Sequence, residues 1–146
     1  MKTILVTGAA GFVAEHLIPA LCQDENRVIG LDRKPSPSAD CDYFICADLT
    51  DGAAAQELSR QQIDIVIHMA AARADWGVSD AEFYRDNVEA TDALLQICER
   101  LDVEKFVFIS SISVMPQSSP DVLDESAPYD PINVYGSSKM QAEKLC

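Results

Sequence analysis

The first fourteen residues constrain this chain more than any other stretch. Thr3-Ile4-Leu5-Val6-Thr7 runs directly into Gly8-Ala9-Ala10-Gly11-Phe12-Val13-Ala14. An apolar run rich in β-branched residues reads as a buried strand, and the Ala- and Leu-rich stretch from Gly11 to about Cys22 reads as a helix packed on it. The join is a glycine turn. Gly8 can take a backbone conformation closed to other residues, and Gly11, without a Cβ, lets the chain pass within touching distance of a ligand. The free N–H groups of the helix's first turn face that join with the positive end of the helix dipole behind them, which suits a pyrophosphate. Ala14 is the third small position, where helix must lie close to strand. Read alone, spaced glycines describe any tight strand-to-helix turn, and the next strand adds the deciding feature. Arg27-Val28-Ile29-Gly30-Leu31 ends on Asp32, 32 − 11 = 21 residues after Gly11. A carboxylate roughly 20 residues beyond such a turn is placed for the adenosine ribose of a dinucleotide.

The rest of the pattern extends this unit. Residues 33–40, polar and proline-bearing, form a loop. A short strand at Tyr43-Phe44-Ile45-Cys46, the Ala47-Asp48-Leu49 segment and a small helix over 52–60 follow. The near-continuous apolar run 63–69 predicts a strand buried on both faces. It ends at Ala70-Ala71, two residues small enough to leave space for a ligand. A long helix is predicted over 79–101, with Phe83, Asn87, Ala90, Leu94, Cys98 and Leu101 on one face. Then come a strand over 105–110, a loop with Pro116, Pro120 and Pro128, and a last helix starting near Ile132 and still running at Cys146. Strands alternating with helices give an α/β architecture, and right-handed crossovers order its parallel sheet 3-2-1-4-5, a doubly wound arrangement. Pro19, inside the first helix, is expected to kink or weaken it.

Composition removes several classes of function. A net charge of −13 with no basic run argues against binding the phosphate backbone of nucleic acid. Five cysteines (Cys22, Cys41, Cys46, Cys98, Cys146), odd in number and without a Cys-x-x-Cys pair, argue against a disulfide framework and a zinc site and read as reduced thiols. No metal is expected: His16 and His68 have no second ligand at suitable spacing and read as structural. Trp76 reads as a packing residue. The first strand begins two residues after Met1, so no signal peptide is expected, and no apolar run approaches the roughly 18 residues of a membrane span. A cytoplasmic protein of one domain, 1–146, is the expectation.

Two later features fall at the carboxyl ends of strands, where an open α/β sheet holds its ligands. Ser110-Ser111 closes the fifth strand, and Tyr135-Gly136-Ser137-Ser138-Lys139 lies in the last helix, with phenol and ammonium four residues apart on one face. An ammonium beside a phenol lowers its pKa from the reference of about 10, so that a phenolate can take a proton at neutral pH. Separately, these are an amphipathic helix pair and a hydroxyl capping a strand end; their joint occurrence with the glycine turn gives them meaning.

In these motifs the chain resembles the extended short-chain dehydrogenase/reductases, in the branch of NAD-dependent epimerases and dehydratases. Thr7 to Phe12, Asp32, Asp48-Leu49, His68-Met69-Ala70-Ala71, Asn87, Ser110-Ser111 and Tyr135 to Lys139 fall in family order and spacing. The resemblance implies a Rossmann-type fold with NAD as cofactor, NADP less so. It implies that Gly8, Gly11 and Phe12 hold the pyrophosphate, Asp32 the adenosine ribose, and Asp48 and Leu49 the adenine, with Ala70 and Ala71 on the nicotinamide side. Ser111 would polarise a substrate hydroxyl, Tyr135 would act as acid and base, and Lys139 would bind the nicotinamide ribose while tuning Tyr135. The implied reaction is hydride transfer on a sugar nucleotide or related hydroxylated small molecule, by an epimerase or a dehydrogenase. A homodimer through the long helix and the helix of Tyr135 is also implied.

Three departures shape the expectation. Dehydratase members carry an acidic pair after the catalytic Ser or Thr, where this chain has Ile112 and Ser113, so dehydration is not expected. The family's Val-Tyr-Gly is replaced by Val114-Met115-Pro116, which puts that substrate contact in doubt. The sequence stops in the helix of Tyr135 and Lys139, without the last strands and the substrate lobe of the family. It therefore reads as a fragment, a trimmed form or a naturally truncated product, with fraying expected around Lys139. A non-catalytic dinucleotide-binding sensor, or truncated pseudoenzyme, is the alternative function.

Overall fold

A computed structural model describes residues 1–73, 77–116 and 122–146, and Trp76 and Pro120 lie outside them. Five parallel strands form one sheet in the order β3-β2-β1-β4-β5, as the alternating pattern predicts. They are β1 (Thr3–Thr7), β2 (Arg27–Asp32), β3 (Tyr43–Cys46), β4 (Ile65–His68) and β5 (Lys105–Phe108). The helices α1 (Phe12–Gln23), α2 (Gly52–Leu58) and α4 (Ala90–Arg100) cover the two faces. Leu5, Ile29, Leu31 and Val66 point to the face held by Ala54 and Leu58 of α2 and Leu94 and Ile97 of α4. Ile4, Val6 and Val28, one residue out of phase, point to Ala14 and Ile18 of α1. Side chains such as Leu5, Leu58 and Leu94 are wholly buried, each contributing about 1.5–3 kcal/mol by removal from water.

The structure corrects several sequence expectations, among them the end of the fifth strand, which stops at Phe108 and leaves Ser110-Ser111 in the segment beyond it. β4 is shorter than the apolar run and buried on one face only: Val66 and His68 are buried, whereas Ile65 and Ile67 are half-buried. On that second face α1 packs over Ile4, Val6 and Val28 of β1 and β2, leaving β4 partly covered. The predicted long helix is not one uniform α-helix. It opens as α3 (Asp80–Phe83), where Ser79 Oγ accepts from the Glu82 N–H at 3.3 Å and the Glu82 carboxylate accepts from the Ser79 N–H at 2.8 Å. A π-helical segment, Tyr84–Glu89, then precedes α4, and its wider turn brings Asn87 and Val88 inward together. The last helix, α5 (Val134–Glu143), starts at its cap Asn133, whose side chain accepts from the Gly136 N–H at 2.7 Å, and ends before Cys146. Beyond Glu143 the N–H groups of Leu145 and Cys146 turn to carbonyls three residues back, tightening the last turn. Nor does the turn around Lys139 lack neighbours, since Lys139 and Ala142 are buried and the Glu143 carboxylate accepts from the hydroxyls of Ser110 and Tyr129.

α1 is continuous through Pro19, whose ring lies on the exposed side. The β2–β3 connection contains no helix. Its chain leans back on the glycine turn instead, where Ser38 donates from Oγ to the carbonyls of Ala9 (2.9 Å) and Gly11 (3.0 Å). Among the described residues no helix is long and apolar enough to cross a membrane. All five cysteines are free thiols.

Candidate cofactor cleft

Gly8 sits where β1 ends, with φ of +74°, and a Cβ there would stand 2.9 Å from the Ala70 backbone nitrogen. Only glycine lets β1 and β4 close on each other at this point. The N–H groups of Gly8 and Ala9 both donate to the Leu31 carbonyl, at 2.9 and 3.2 Å, which binds the turn to the end of β2. Gly11 caps α1 and brings no side chain to its first turn, so the leading N–H groups of α1 remain open to an anion. Asp32 ends β2 beside this turn. Its Oδ2 accepts from the Ala10 N–H and its Oδ1 from the Lys34 N–H, both at 2.9 Å. Each oxygen keeps a lone pair for a ribose hydroxyl.

These residues open on a cleft of about 260 Å³ along the carboxyl ends of the strands. Gly8, Gly11 and Asp32 form one wall with Ala10, Asp48 and Leu49 the far end, and Ala70 and Ala71 the end beside β4. Leu31, Ala47 and Ala90 add apolar surface suited to a flat base. Burial pushes the Asp48 carboxyl up, but bonds from the Thr50 N–H (2.9 Å) and hydroxyl (2.8 Å), with Arg33 and Arg85 nearby, outweigh it and hold the group below its usual range. The glycine cradle, the open helix start and the acceptor at Asp32 together fit a dinucleotide.

Phe12 does not line this cleft. Its ring is 76% exposed and stands edge-on to His16, 5.0 Å between centroids, so neither is a core residue.

His68 is the structural histidine the sequence suggests, and it heads a buried relay. The Met69 and Ala70 N–H groups donate to Thr7 Oγ1, each at 3.2 Å. Thr7 Oγ1 lies 2.6 Å from His68 Nδ1, and His68 Nε2 lies 3.0 Å from Thr91 Oγ1. Because the Thr91 hydroxyl donates to the Asn87 carbonyl at 2.6 Å, it accepts from His68, and the imidazole is neutral with its proton on Nε2. Burial, and then the charge of Lys139, push the His68 pKa down to about 3. Asn87 continues the relay: its Oδ1 accepts from the Ala72 N–H (2.7 Å), and its Nδ2 donates to the Ala72 carbonyl (3.2 Å) and to Ser138 Oγ (2.8 Å). Ser138 Oγ in turn donates to the Tyr135 carbonyl at 2.7 Å. One chain of buried bonds thus ties the floor of the cleft to the helix of Tyr135 and Lys139.

Ser111, Tyr135 and Lys139 lie beside the cleft rather than in its lining. Ser111 Oγ accepts from the Ser113 N–H at 3.2 Å and caps the short 3₁₀ turn Ile112–Val114, leaving its own proton free to donate. The Tyr135 ring is half-buried, 6.1 Å from that of Phe83. Lys139 is 2% exposed, its Nζ 4.0 Å from the centre of the Phe108 ring. Burial pushes its pKa down to about 8, against the raising influence of Cys146 and Glu143. Gly136 lets this helix approach, because a Cβ there would lie 2.2 Å from the Ser113 carbonyl oxygen.

The profile of the NAD dependent epimerase/dehydratase family matches residues 4–146. The chain belongs to this family. It is 35% identical over 157 aligned residues to the dTDP-D-glucose 4,6-dehydratase of Mus musculus, covering 97% of the chain and 44% of that relative. It is 32% identical to an uncharacterised UDP-glucose epimerase of Bacillus subtilis, covering 98% of the chain and 50% of the relative. Among solved structures, the UDP-Glc/GlcNAc 4-epimerase of Campylobacter jejuni superposes with a TM-score of 0.89 at 25% identity, over 99% of this chain and 48% of that one. MoeE5 in complex with UDP-glucose and NAD gives 0.85 at 34% identity, over 98% and 47%. The chain thus spans about half the length of the relatives it matches. NAD is the cofactor of this epimerase/dehydratase family, and the cleft residues fit it.

Sequence reasoning named Thr7 only within the glycine-turn motif and Arg33 only as a cation following Asp32, and it missed Thr91 and Asp86. Arg33 and Asp86 also line the cleft, joined by an ion pair of 2.7 Å, while Arg85 meets the other oxygen of Asp86 at 2.6 Å. Nothing in the linear pattern pairs residues so far apart. Asn87 and Thr91, polar on an otherwise apolar helix face, were the available signal for the relay.

Proposed function

We propose that this chain is the cofactor-binding part of an NAD-dependent enzyme that moves a hydride to and from a hydroxyl-bearing carbon of a sugar nucleotide, as an epimerase or a simple dehydrogenase. The cleft built by Gly8, Gly11 and Asp32 carries this reading. Relatives named for UDP-glucose and dTDP-glucose support the substrate class. Bound NAD supplies the hydride acceptor. In the proposed mechanism the Ser111 hydroxyl donates to the substrate oxygen and Tyr135 takes the substrate's hydroxyl proton. Lys139 supplies a buried positive charge one helical turn from Tyr135 and donates to the nicotinamide ribose. Ile112 and Ser113 bring no acid for eliminating water, which favours epimerisation or oxidation over dehydration. A cytoplasmic location accords with five free thiols. Pairing of two copies through the helical stretch from Asp80 to Arg100 and through α5 accords with exposed Tyr84 on that stretch, Val134 in α5 and Ile132 just before it, and sedimentation as a monomer at high concentration would refute it.

Catalysis requires the substrate to be held against Ser111 and Tyr135, and a misplacement of about 1 Å costs roughly a hundredfold in rate. Calorimetry with NAD and absorbance of the reduced cofactor with UDP-glucose, UDP-galactose and dTDP-glucose test the reading. The expected result is clear NAD binding with slow reduction, the reduction abolished by Tyr135→Phe while binding changes by less than about twofold. Failure to bind NAD would overturn the proposal. Binding with no reduction by any sugar nucleotide would favour the non-catalytic alternative.

A further inference from the structure

The geometry points to Asp86 as a second determinant of cofactor choice, one that keeps Arg33 away from the adenosine ribose and so disfavours a dinucleotide carrying a 2′-phosphate. The inference rests on the cleft being the dinucleotide site. Asp32 rejects a 2′-phosphate by charge, yet the next two residues are Arg33 and Lys34, the residue types that recognise one. Asp32 alone therefore leaves the choice open. What decides it is where the Arg33 guanidinium is held.

Arg33 and Asp86 both line the cleft, and Arg33 Nη1 donates to Asp86 Oδ2 at 2.7 Å. The other oxygen, Oδ1, accepts from Arg85 Nε at 2.7 Å and lies 2.6 Å from Arg85 Nη2. The two partners of the Arg33 bond differ in freedom. The Asp86 side chain is 10% exposed and fixed on the π-helical segment, whereas that of Arg33 is 56% exposed at the start of a loop. Asp86 is thus the anchor and Arg33 the group that would move. An exposed ion pair is worth little, but a carboxylate shielded on its own side and shared by two guanidinium groups makes stronger, charge-assisted bonds.

The charges lining this end of the cleft comprise three carboxylates, Asp32, Asp48 and Asp86, and two cations, Arg33 and Lys34, with Arg85 bonded to Asp86 from beside it. Removing the charge of Asp86 tips this balance positive and frees a planar five-donor group one residue from Asp32. A 2′-phosphate offers that group acceptors which a 2′-hydroxyl does not.

The test measures dissociation constants for NAD and NADP by calorimetry on the 146-residue chain, with folding followed by circular dichroism. Wild type is expected to prefer NAD. Asp86→Asn is expected to narrow that preference by about tenfold, chiefly through tighter NADP binding, as one new charge-assisted bond to phosphate would give. Adding Arg33→Ala to Asp86→Asn is expected to restore most of the preference. Arg33→Ala alone is expected to leave the ratio within about twofold of wild type, because Asp86 already withholds the group. An unchanged ratio in Asp86→Asn with NAD binding intact would overturn the role of Asp86. If Asp86→Asn does not fold, Arg33→Ala decides: a selective loss of NADP affinity would show that Arg33 already serves the phosphate, and refute the inference. Failure of wild type to bind either dinucleotide would remove the site itself, and with it both readings.

Discussion

His68 makes this fold sensitive to acid. Its imidazole accepts at Nδ1 from Thr7 and donates at Nε2 to Thr91, so a second ring proton has no acceptor waiting for it. Burial and Lys139 hold its pKa at about 3, against an ordinary 6.5 in the unfolded chain. Below about pH 6.5 the unfolded chain therefore takes up a proton that the folded chain refuses until about pH 3, and stability falls as the pH drops through that window. Integrating the two titrations gives a loss of roughly 2 kcal/mol at pH 5 and roughly 3 kcal/mol at pH 4. Against a typical total of about 5–15 kcal/mol, this is a large share from one side chain. Urea unfolding of wild type and His68→Gln at pH 7 and pH 5 isolates it, because carboxylate contributions common to both cancel in the difference. The variant is expected to be weaker at pH 7 by about 1–3 kcal/mol for each relay partner left without its bond. Its disadvantage is expected to shrink by about 2 kcal/mol at pH 5. Equal acid losses in the two proteins would refute the assignment of a neutral, buried His68.

Gly136→Ala places a methyl group 2.2 Å from the Ser113 carbonyl oxygen, so thermal melting is expected to show a loss above about 3 kcal/mol or failure to fold, against about 1 kcal/mol of gain at an open helix position. Lys139→Met removes a buried charge whose pKa lies at about 8 instead of 10.5; the wild-type chain gains stability as pH rises from about 8 to 10.5, so the variant is expected to be more stable by about 3 kcal/mol at pH 7 and to lose most of that lead by pH 10.5. Urea unfolding at the two pH values checks this. Asn87→Ala leaves Ala72 and Ser138 without their partner, and a loss of about 2–3 kcal/mol is expected in the same assay.

The sheet order was legible because periodicity marks it: the apolar runs at 3–7, 27–31 and 43–46 became strands almost residue for residue. The glycine turn and Asp32 were legible because backbone geometry demands particular residue types there, and the cleft brings them together with Asp48, Leu49, Ala70 and Ala71. The π-helical segment was not, since Phe83, Asn87, Ala90 and Leu94 satisfy α-helical spacing as well. Its register shift is settled by buried bonds from Asn87 to Ala72 and Ser138, which no local pattern encodes. The role of Gly136 was equally hidden, because its neighbour Ser113 lies 23 residues earlier in the chain (136 − 113 = 23) and meets it only through the packing of α5. The Arg33–Asp86 pair, 53 residues apart, belongs to the same class.

The central claim, that the carboxyl-end cleft takes NAD, is tested most directly by amide chemical shifts of the isotopically labelled chain during titration with NAD. Perturbations are expected at Gly8 to Val13, Asp32 to Lys34, Asp48 and Leu49, and Ala70 to Ala72, with the exposed faces of α2 and α4 unchanged. Absence of shifts at millimolar NAD, or shifts centred away from Gly8 and Asp32, would contradict it.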